Sequence, residues 1–301
     1  MARSIAFFLL FSIPLIRGQP YDEQLAKRML PLAAAAYSAK PEECLANRFN
    51  NAELVRRYEV YCDETQNDTC SGYLALLHDE KAIAVVFRGT VGDMQLKMEN
   101  VETIMQKEPL FNMGLVHPYF RRAFVQLWYG AMGNHFVKLT QQFPDYVVYV
   151  TGHSLGAALS SLASAAIVRN NGFTDRNSFH YNFGHVRGLS IVLSGLLACR
   201  QPRVGDATFA ASHEKLLPSF YRLTHARDLI TLLPQTYFDF RHLGNEIWYN
   251  NTMETGSTHV TCGDEDDPAC AGDRDSWPDH QHYFTVWVTV YGANGCPTPI
   301  P

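Results

Sequence analysis

The sequence predicts an α/β fold, a mainly parallel central sheet flanked by helices, and three observations carry that prediction. The chain has 301 residues, 47% of them hydrophobic and 18% charged, enough to bury a large core. Strand-like and helix-like segments alternate along it, the order that builds a parallel sheet covered by helices. No repeat, low-complexity tract or linker marks a second domain, so residues 19–301 read as one domain. With a net charge of -5, a disordered tail or a nucleic-acid binder relying on bulk positive charge is excluded.

Taken in order, the chain opens with Arg3, an apolar run from Ile5 to Ile16 and a polar segment at Arg17-Gly18-Gln19-Pro20. This is the pattern of a secretory signal over residues 1–18, cleaved after Gly18. A membrane anchor needs roughly 18 or more apolar residues, and nothing later in the chain supplies them. Tyr73 to Leu77 and Ala82 to Phe87 read as strands around the polar turn His78-Asp79-Glu80-Lys81. From Tyr119 to Lys138, Phe120, Ala123, Phe124, Leu127 and Trp128 fall at helical spacing and predict one long amphipathic helix. Asp145 to Val150 is a strand, Ala157 to Val168 a small-residue helix, and Phe179 to Phe183 and Phe220 to Thr224 are strands again.

Export to the extracellular space changes the reading of the seven cysteines, because an oxidising compartment favours disulfides over metal ligation. Cys62 with Cys70 and Cys262 with Cys270 form local pairs, and Cys44 with Cys296 ties the two ends together. This is one of several connectivities that six cysteines allow. Cys199, alone in an apolar stretch, is the unpaired seventh. Asn67 and Asn250 begin N-glycosylation triplets.

The chemistry begins at Gly152-His153-Ser154-Leu155-Gly156. A Gly-x-Ser-x-Gly directly after a strand and before a helix is the setting of a nucleophile elbow, whose sharp turn side chains at the glycine positions would block. A passive serine in a glycine-rich turn is the plainer alternative. A nucleophilic serine needs a base, and the base an orienting carboxylate, in the chain order Ser, Asp, His. Asp228 follows the strand ending at Thr224, where such a carboxylate belongs; Asp239, in an aromatic run, is its rival. His259, His280 and His282 are the candidate bases, and His117 is a further histidine that is either near the site or structural. The acidic stretch from Asp264 to Asp267 lacks EF-hand spacing, and the 12 histidines contain no His-Glu-x-x-His, so no metal is expected.

Several blocks in order give the chain a resemblance to the class 3 (fungal-type) triacylglycerol lipases, in particular secreted nematode members. They are Phe87-Arg88-Gly89-Thr90, the elbow from Thr151 to Ala157, Pro202-Arg203-Val204-Gly205-Asp206, Asp228, and His280-Gln281-His282-Tyr283-Phe284. The resemblance spans about residues 40–296 and implies an α/β-hydrolase fold. It implies Ser154 as nucleophile, Asp228 as orienting acid and His280 as base, with Thr90 and Leu155 forming the oxyanion hole. It also places a mobile lid after the oxyanion block. Met94, Met98, Val101 and Met105 recur there at three- and four-residue spacing, as they would equally in an ordinary core helix.

The expected function is hydrolysis of carboxylic esters of lipids through an acyl-enzyme, without cofactor or metal. The expected partners are a lipid or other ester substrate and a transient lipid interface, with no nucleic acid and no transmembrane segment. A non-lipid carboxylesterase and a catalytically silent lipid-binding protein are the alternatives. One departure from the family stands out. Sixteen residues, Val186 to Gln201, separate Phe183-Gly184-His185 from Pro202, where the family runs almost directly into Pro-Arg-Val-Gly. Removing them joins the two blocks, deletes Cys199 and keeps the reading frame. The segment therefore reads as a retained intron, with a genuine insertion as the rival.

Overall fold

The computed structural model describes residues 18–62, 68–89, 91, 106–174, 176–184, 203–228, 239–263, 268–270 and 276–301. Thr90, the lid candidates Met94, Met98, Val101 and Met105, Asn67, Cys199, nearly all of the signal segment and the whole of 186–201 lie outside the described residues.

Helices α1 (Glu23–Ala35) and α2 (Pro41–Arg48) precede strands β1 (Ala52–Tyr61), β2 (Thr69–Leu77) and β3 (Ala82–Phe87). Short strands β4 (Glu108–Leu110) and β5 (Gly114–Val116) lead into α3 (Pro118–Leu127), a π-helical turn (Trp128–Met132) and α4 (Gly133–Gln142). Next come β6 (Val147–His153), α5 (Leu155–Asn171), β7 (Ser178–Phe183), β8 (Gly205–Asp206), α6 (Ala207–Leu216) and β9 (Phe220–His225). The chain ends with β10 (Phe240–Arg241), β11 (Asn245–Tyr249), β12 (Val260–Cys262), α7 (Trp277–Gln281), β13 (His282–Tyr283), β14 (Val286–Trp287) and α8 (Val288–Ala293).

Eight strands form the main sheet in the order β1-β2-β3-β6-β7-β9-β11-β12. Its centre, from β3 to β11, is parallel, and antiparallel strands flank it on both sides. This is the expected architecture. The apolar run of β3 shows why it forms. Ile83, Val85 and Phe87 pack on one face with α3 and α5, while Ala82, Ala84 and Val86 pack on the other with α1. A strand covered on both faces needs no polar alternation.

The helix expected from Tyr119 to Lys138 is instead two helices joined by the π turn. A Cβ at Gly133 would meet the Trp128 ring at 2.9 Å, so this glycine admits the indole against the chain. The wider turn keeps both flanking segments' apolar faces on the core, and apolar spacing alone does not distinguish it from a continuous helix. A smaller sheet, β10-β8-β5-β4, stands beside the main one. The two chain ends meet on the α1 face, where Gly292 of α8 abuts the Ala34 carbonyl and Cys44 is bonded to Cys296. Cys62 is bonded to Cys70 and Cys262 to Cys270.

Candidate active site

Strand β6 runs through His153 and helix α5 starts at Leu155, which leaves Ser154 alone to make the turn. It does so with φ 60° and ψ -126°, a conformation that side chains rarely adopt and that persists only where the surroundings enforce it. The surroundings are backbone. A Cβ on Gly152 would strike Gly156, and one on Gly156 would strike the Phe87 carbonyl at the end of β3. The Ser154 N-H also donates to the Phe183 carbonyl at 3.0 Å, fastening the turn to β7. Strand end, turn and helix start are thereby locked at the carboxyl edge of the parallel strands.

At that edge Ser154 Oγ lies 2.9 Å from His280 Nε2, and His280 Nδ1 lies 3.1 Å from both oxygens of Asp228. His280 and Asp228 are fully buried, and Ser154 is 7% exposed. The carboxylate only accepts, so Nδ1 carries the proton, and Nε2 is left as the acceptor facing the serine hydroxyl. Such an arrangement can take a proton from the hydroxyl and return it.

The loop bearing Asp228 and the helix bearing His280 are clamped together. Ser276 N-H donates to the Arg227 carbonyl at 2.8 Å, and Arg227 N-H donates to Asp279 Oδ2 at 2.9 Å. Ser276 Oγ accepts from Asp279 N-H at 3.2 Å, capping α7, with Pro278 in its first turn. The Tyr283 hydroxyl donates to Asp228 Oδ2 at 3.2 Å, giving that oxygen a second donor.

Two aromatic rings pack against His280, that of His153 at 4.8 Å and that of Trp277 at 5.3 Å between centroids. His153 Nε2 donates to the His280 carbonyl at 2.8 Å, and its Nδ1 accepts from the Tyr37 hydroxyl at 2.7 Å. Burial, then the charge of neighbouring His280, holds its pKa down at about 3, so it stays neutral. Gly184, with φ 65°, sits under the His280 ring, and a Cβ there would lie 2.7 Å from Cε1.

The other candidates fall elsewhere. Asp239 is exposed and pairs with Lys107 at 3.2 Å. His259 packs in a tyrosine cluster, 4.9 Å from Tyr21 and 5.3 Å from Tyr249 between ring centroids. His282 is half-buried against His225 and Trp287. His117 caps α3, its Nδ1 accepting from Tyr119 N-H at 3.2 Å, and burial lowers its pKa to about 4. Leu155 is buried at the first turn of α5, while Thr90 lies outside the described residues. Sequence reasoning missed Tyr37 and Gly184. His153, inside the elbow motif, was the one available signal that a second imidazole adjoins the site. Among the described residues no cluster of three His, Cys, Asp or Glu could hold a metal ion.

A parallel-centred sheet flanked by helices, with a strained serine beside a histidine and a buried aspartate at its carboxyl edge, is the architecture of the α/β-hydrolase fold. The family model for lipase (class 3) matches residues 84–238. Lipase ZK262.3 of Caenorhabditis elegans is 30% identical over 92% of this chain and 83% of its own length. The lipase of Rhizomucor miehei is 28% identical over 75% of this chain, which spans only 61% of that protein. In fold, the solved Rhizomucor miehei triacylglyceride lipase matches with a TM-score of 0.71 at 22% identity, over 91% of this chain and 98% of that one. The chain belongs to the lipase (class 3) family and is a lipase-like carboxylic ester hydrolase.

Proposed function

We propose that the chain is a secreted, single-domain serine hydrolase that cleaves carboxylic esters of lipids through an acyl-enzyme. The observation that carries this is the unbroken line from Ser154 Oγ through His280 to Asp228 at the tip of a strained elbow. Ser154 Oγ attacks the ester carbonyl while its proton passes to His280 Nε2. His280 returns that proton to the leaving alkoxide, and the acyl group stays on Ser154. Water then repeats the sequence, releasing the acid. The oxyanion is met by the Leu155 N-H, at a helix start whose free N-H groups favour negative charge, and on sequence grounds by Thr90.

Three disulfides suit an oxidising compartment, and Asn250 is exposed at the end of β11, as a glycosylation site requires. Lipid esters as substrate accord with the triacylglyceride lipase named among the structural likenesses. The segment bearing Met94, Met98, Val101 and Met105 is proposed as the lid because the family resemblance places one after the oxyanion block; its spacing fits an ordinary core helix equally. Segment 186–201 is proposed as a retained intron; transcripts that uniformly encode it would refute that.

The experiment is a panel of purified-protein assays on emulsified long-chain triacylglycerols and soluble short-chain esters. The expected outcome is a rise in rate once substrate forms an interface. Preference for soluble esters without such a rise would make the chain a non-lipid carboxylesterase. Lipid binding without turnover would make it a silent binder.

A further inference from the structure

The histidine inside the elbow motif is buried beside the base, and the proton line from Ser154 through His280 to Asp228 does not use it. His153 is fully buried at the end of β6, its ring 4.8 Å from that of His280 and tilted 35° to it. Both of its nitrogens are engaged, Nε2 with the His280 carbonyl at 2.8 Å and Nδ1 with the Tyr37 hydroxyl at 2.7 Å. A carbonyl only accepts, so Nε2 carries the proton; Nδ1 is then a bare acceptor, and the Tyr37 hydroxyl is its donor. One tautomer satisfies both bonds, whereas the other would turn a lone pair toward the carbonyl.

The His280 carbonyl needs that donor. It belongs to α7, a helix of 5 residues, and a helix leaves its last four carbonyls without partners of its own. Tyr37 is itself held in place. Its N-H donates to the Ala34 carbonyl at 3.0 Å, and Arg57 of β1 donates to the next two carbonyls, Ser38 at 3.1 Å and Ala39 at 3.3 Å. The Tyr37 hydroxyl occupies space that a Cβ on Gly89 would take, so it abuts the block before Thr90 as well as the elbow.

We propose that Tyr37 and His153 are positioning residues for the base: the tyrosine hydroxyl fixes the His153 tautomer, and the His153 Nε2-H holds the His280 main chain so that its ring stays within reach of Ser154; this rests on Ser154 and His280 carrying the chemistry. Asp228 grips the ring at Nδ1 and His153 grips the backbone, so the base is held at two points. Misplacement by about 1 Å can cost about 10²-fold in rate. The same pair keeps a second charge away. His280 becomes an imidazolium when it takes the serine proton, and a cation on His153 would oppose it across 4.8 Å. With the Nδ1 lone pair occupied and the Nε2 proton already donated, His153 has no free position for another proton. Burial, then neighbouring His280, holds its pKa down at about 3.

The test is kcat, KM and the rate of fluorophosphonate labelling for the full chain and three variants, with p-nitrophenyl butyrate as a soluble ester so that no lipid preference enters. Tyr37→Phe should lower kcat and the labelling rate about tenfold with KM nearly unchanged. His153→Asn, whose amide is too short to reach the His280 carbonyl, should lower both by about 10²-fold. His153→Gln extends an amide N-H to the Nε2 position and should recover about tenfold of that loss. Equal losses in the Asn and Gln variants, or an unchanged labelling rate in Tyr37→Phe, would overturn the positioning roles. Tyr37→Phe removes one oxygen and keeps the ring, so it decides the matter if circular dichroism shows the His153 variants misfolded. Nitrogen NMR of the parent should show His153 protonated on Nε2 alone from pH 8 to pH 5; a proton on Nδ1 would overturn the tautomer and the roles built on it. A parent that takes no label at Ser154 would overturn the nucleophile assignment itself, a different failure from equal labelling in parent and variants.

Discussion

The carboxyl edge of the sheet and the clasp of the two chain ends are both buried, yet they are held by different physics. At the edge, Ser154, His280 and Asp228 are fixed by directed hydrogen bonds and by glycines whose missing side chains let backbone meet backbone. At the clasp, α1 and α8 are joined by alanine-rich apolar packing and the Cys44–Cys296 bond. Directed bonds set positions to a fraction of an ångström and add little net stability. Apolar burial and a covalent tie stabilise without aiming any group. Changes at the edge should therefore alter rate with little change in stability, and changes at the clasp the reverse.

The largest expected effect is at the edge. Asp228→Asn should lower kcat by about 10³- to 10⁴-fold, because the amide no longer holds the His280 proton on Nδ1. Its Tm should stay within a few degrees of the parent; a variant that loses rate only by unfolding would break the comparison. Gly156→Ala should cost about 10²-fold in kcat/KM, since a Cβ against the Phe87 carbonyl displaces the elbow by a fraction of an ångström or more. Scattering and circular dichroism alongside the kinetics would separate displacement from misfolding.

At the clasp, Cys44→Ser with Cys296→Ser should reduce stability by about 2–5 kcal/mol in denaturant titration while leaving kcat nearly unchanged in the folded protein. The bond closes a loop with a sequence separation of 252, so the unfolded chain gains much freedom without it. A comparable loss in kcat would mean that the chain ends help aim the site.

Buried histidines give an effect that belongs to neither region but is spread over the interior and appears only as pH falls. Burial lowers the pKa of His153 and His180 to about 3 and of His117 and His213 to about 4. Unfolded histidine titrates near 6.5, so below about that pH the unfolded chain binds protons that the native chain refuses. Stability should be fullest above about pH 6.5 and fall as pH drops toward the native values, by up to about 1.4 kcal/mol per unit for each histidine. Urea midpoints from pH 7 to 4.5 measure that slope, and His213→Phe should flatten it. An unchanged slope would show that other groups carry the acid sensitivity.

Much of this was readable from sequence. The elbow is contiguous, and its glycines state the steric requirement of the turn directly. Asp228 and His280 were legible as a strand-end carboxylate and a family pattern, although neither residue names the other. What escaped depends on folding. Tyr37 and His153 meet across 116 positions, and Gly184 matters only because His280 settles on it. Strand β1 shows no clean alternation, because a bulge between Leu54 and Arg56 shifts its register on a half-exposed edge. The strands of the small sheet are two or three residues long, too short for any period to register.

The central claim is that Ser154 is the nucleophile, and a covalent probe tests it most directly. A fluorophosphonate should label the native chain once, with the adduct mapped by peptide mass spectrometry to Ser154. Ser154→Ala should take no label and Asp228→Asn should label much more slowly. Full labelling of Ser154→Ala, or an adduct on any other residue of the active native chain, would contradict the account.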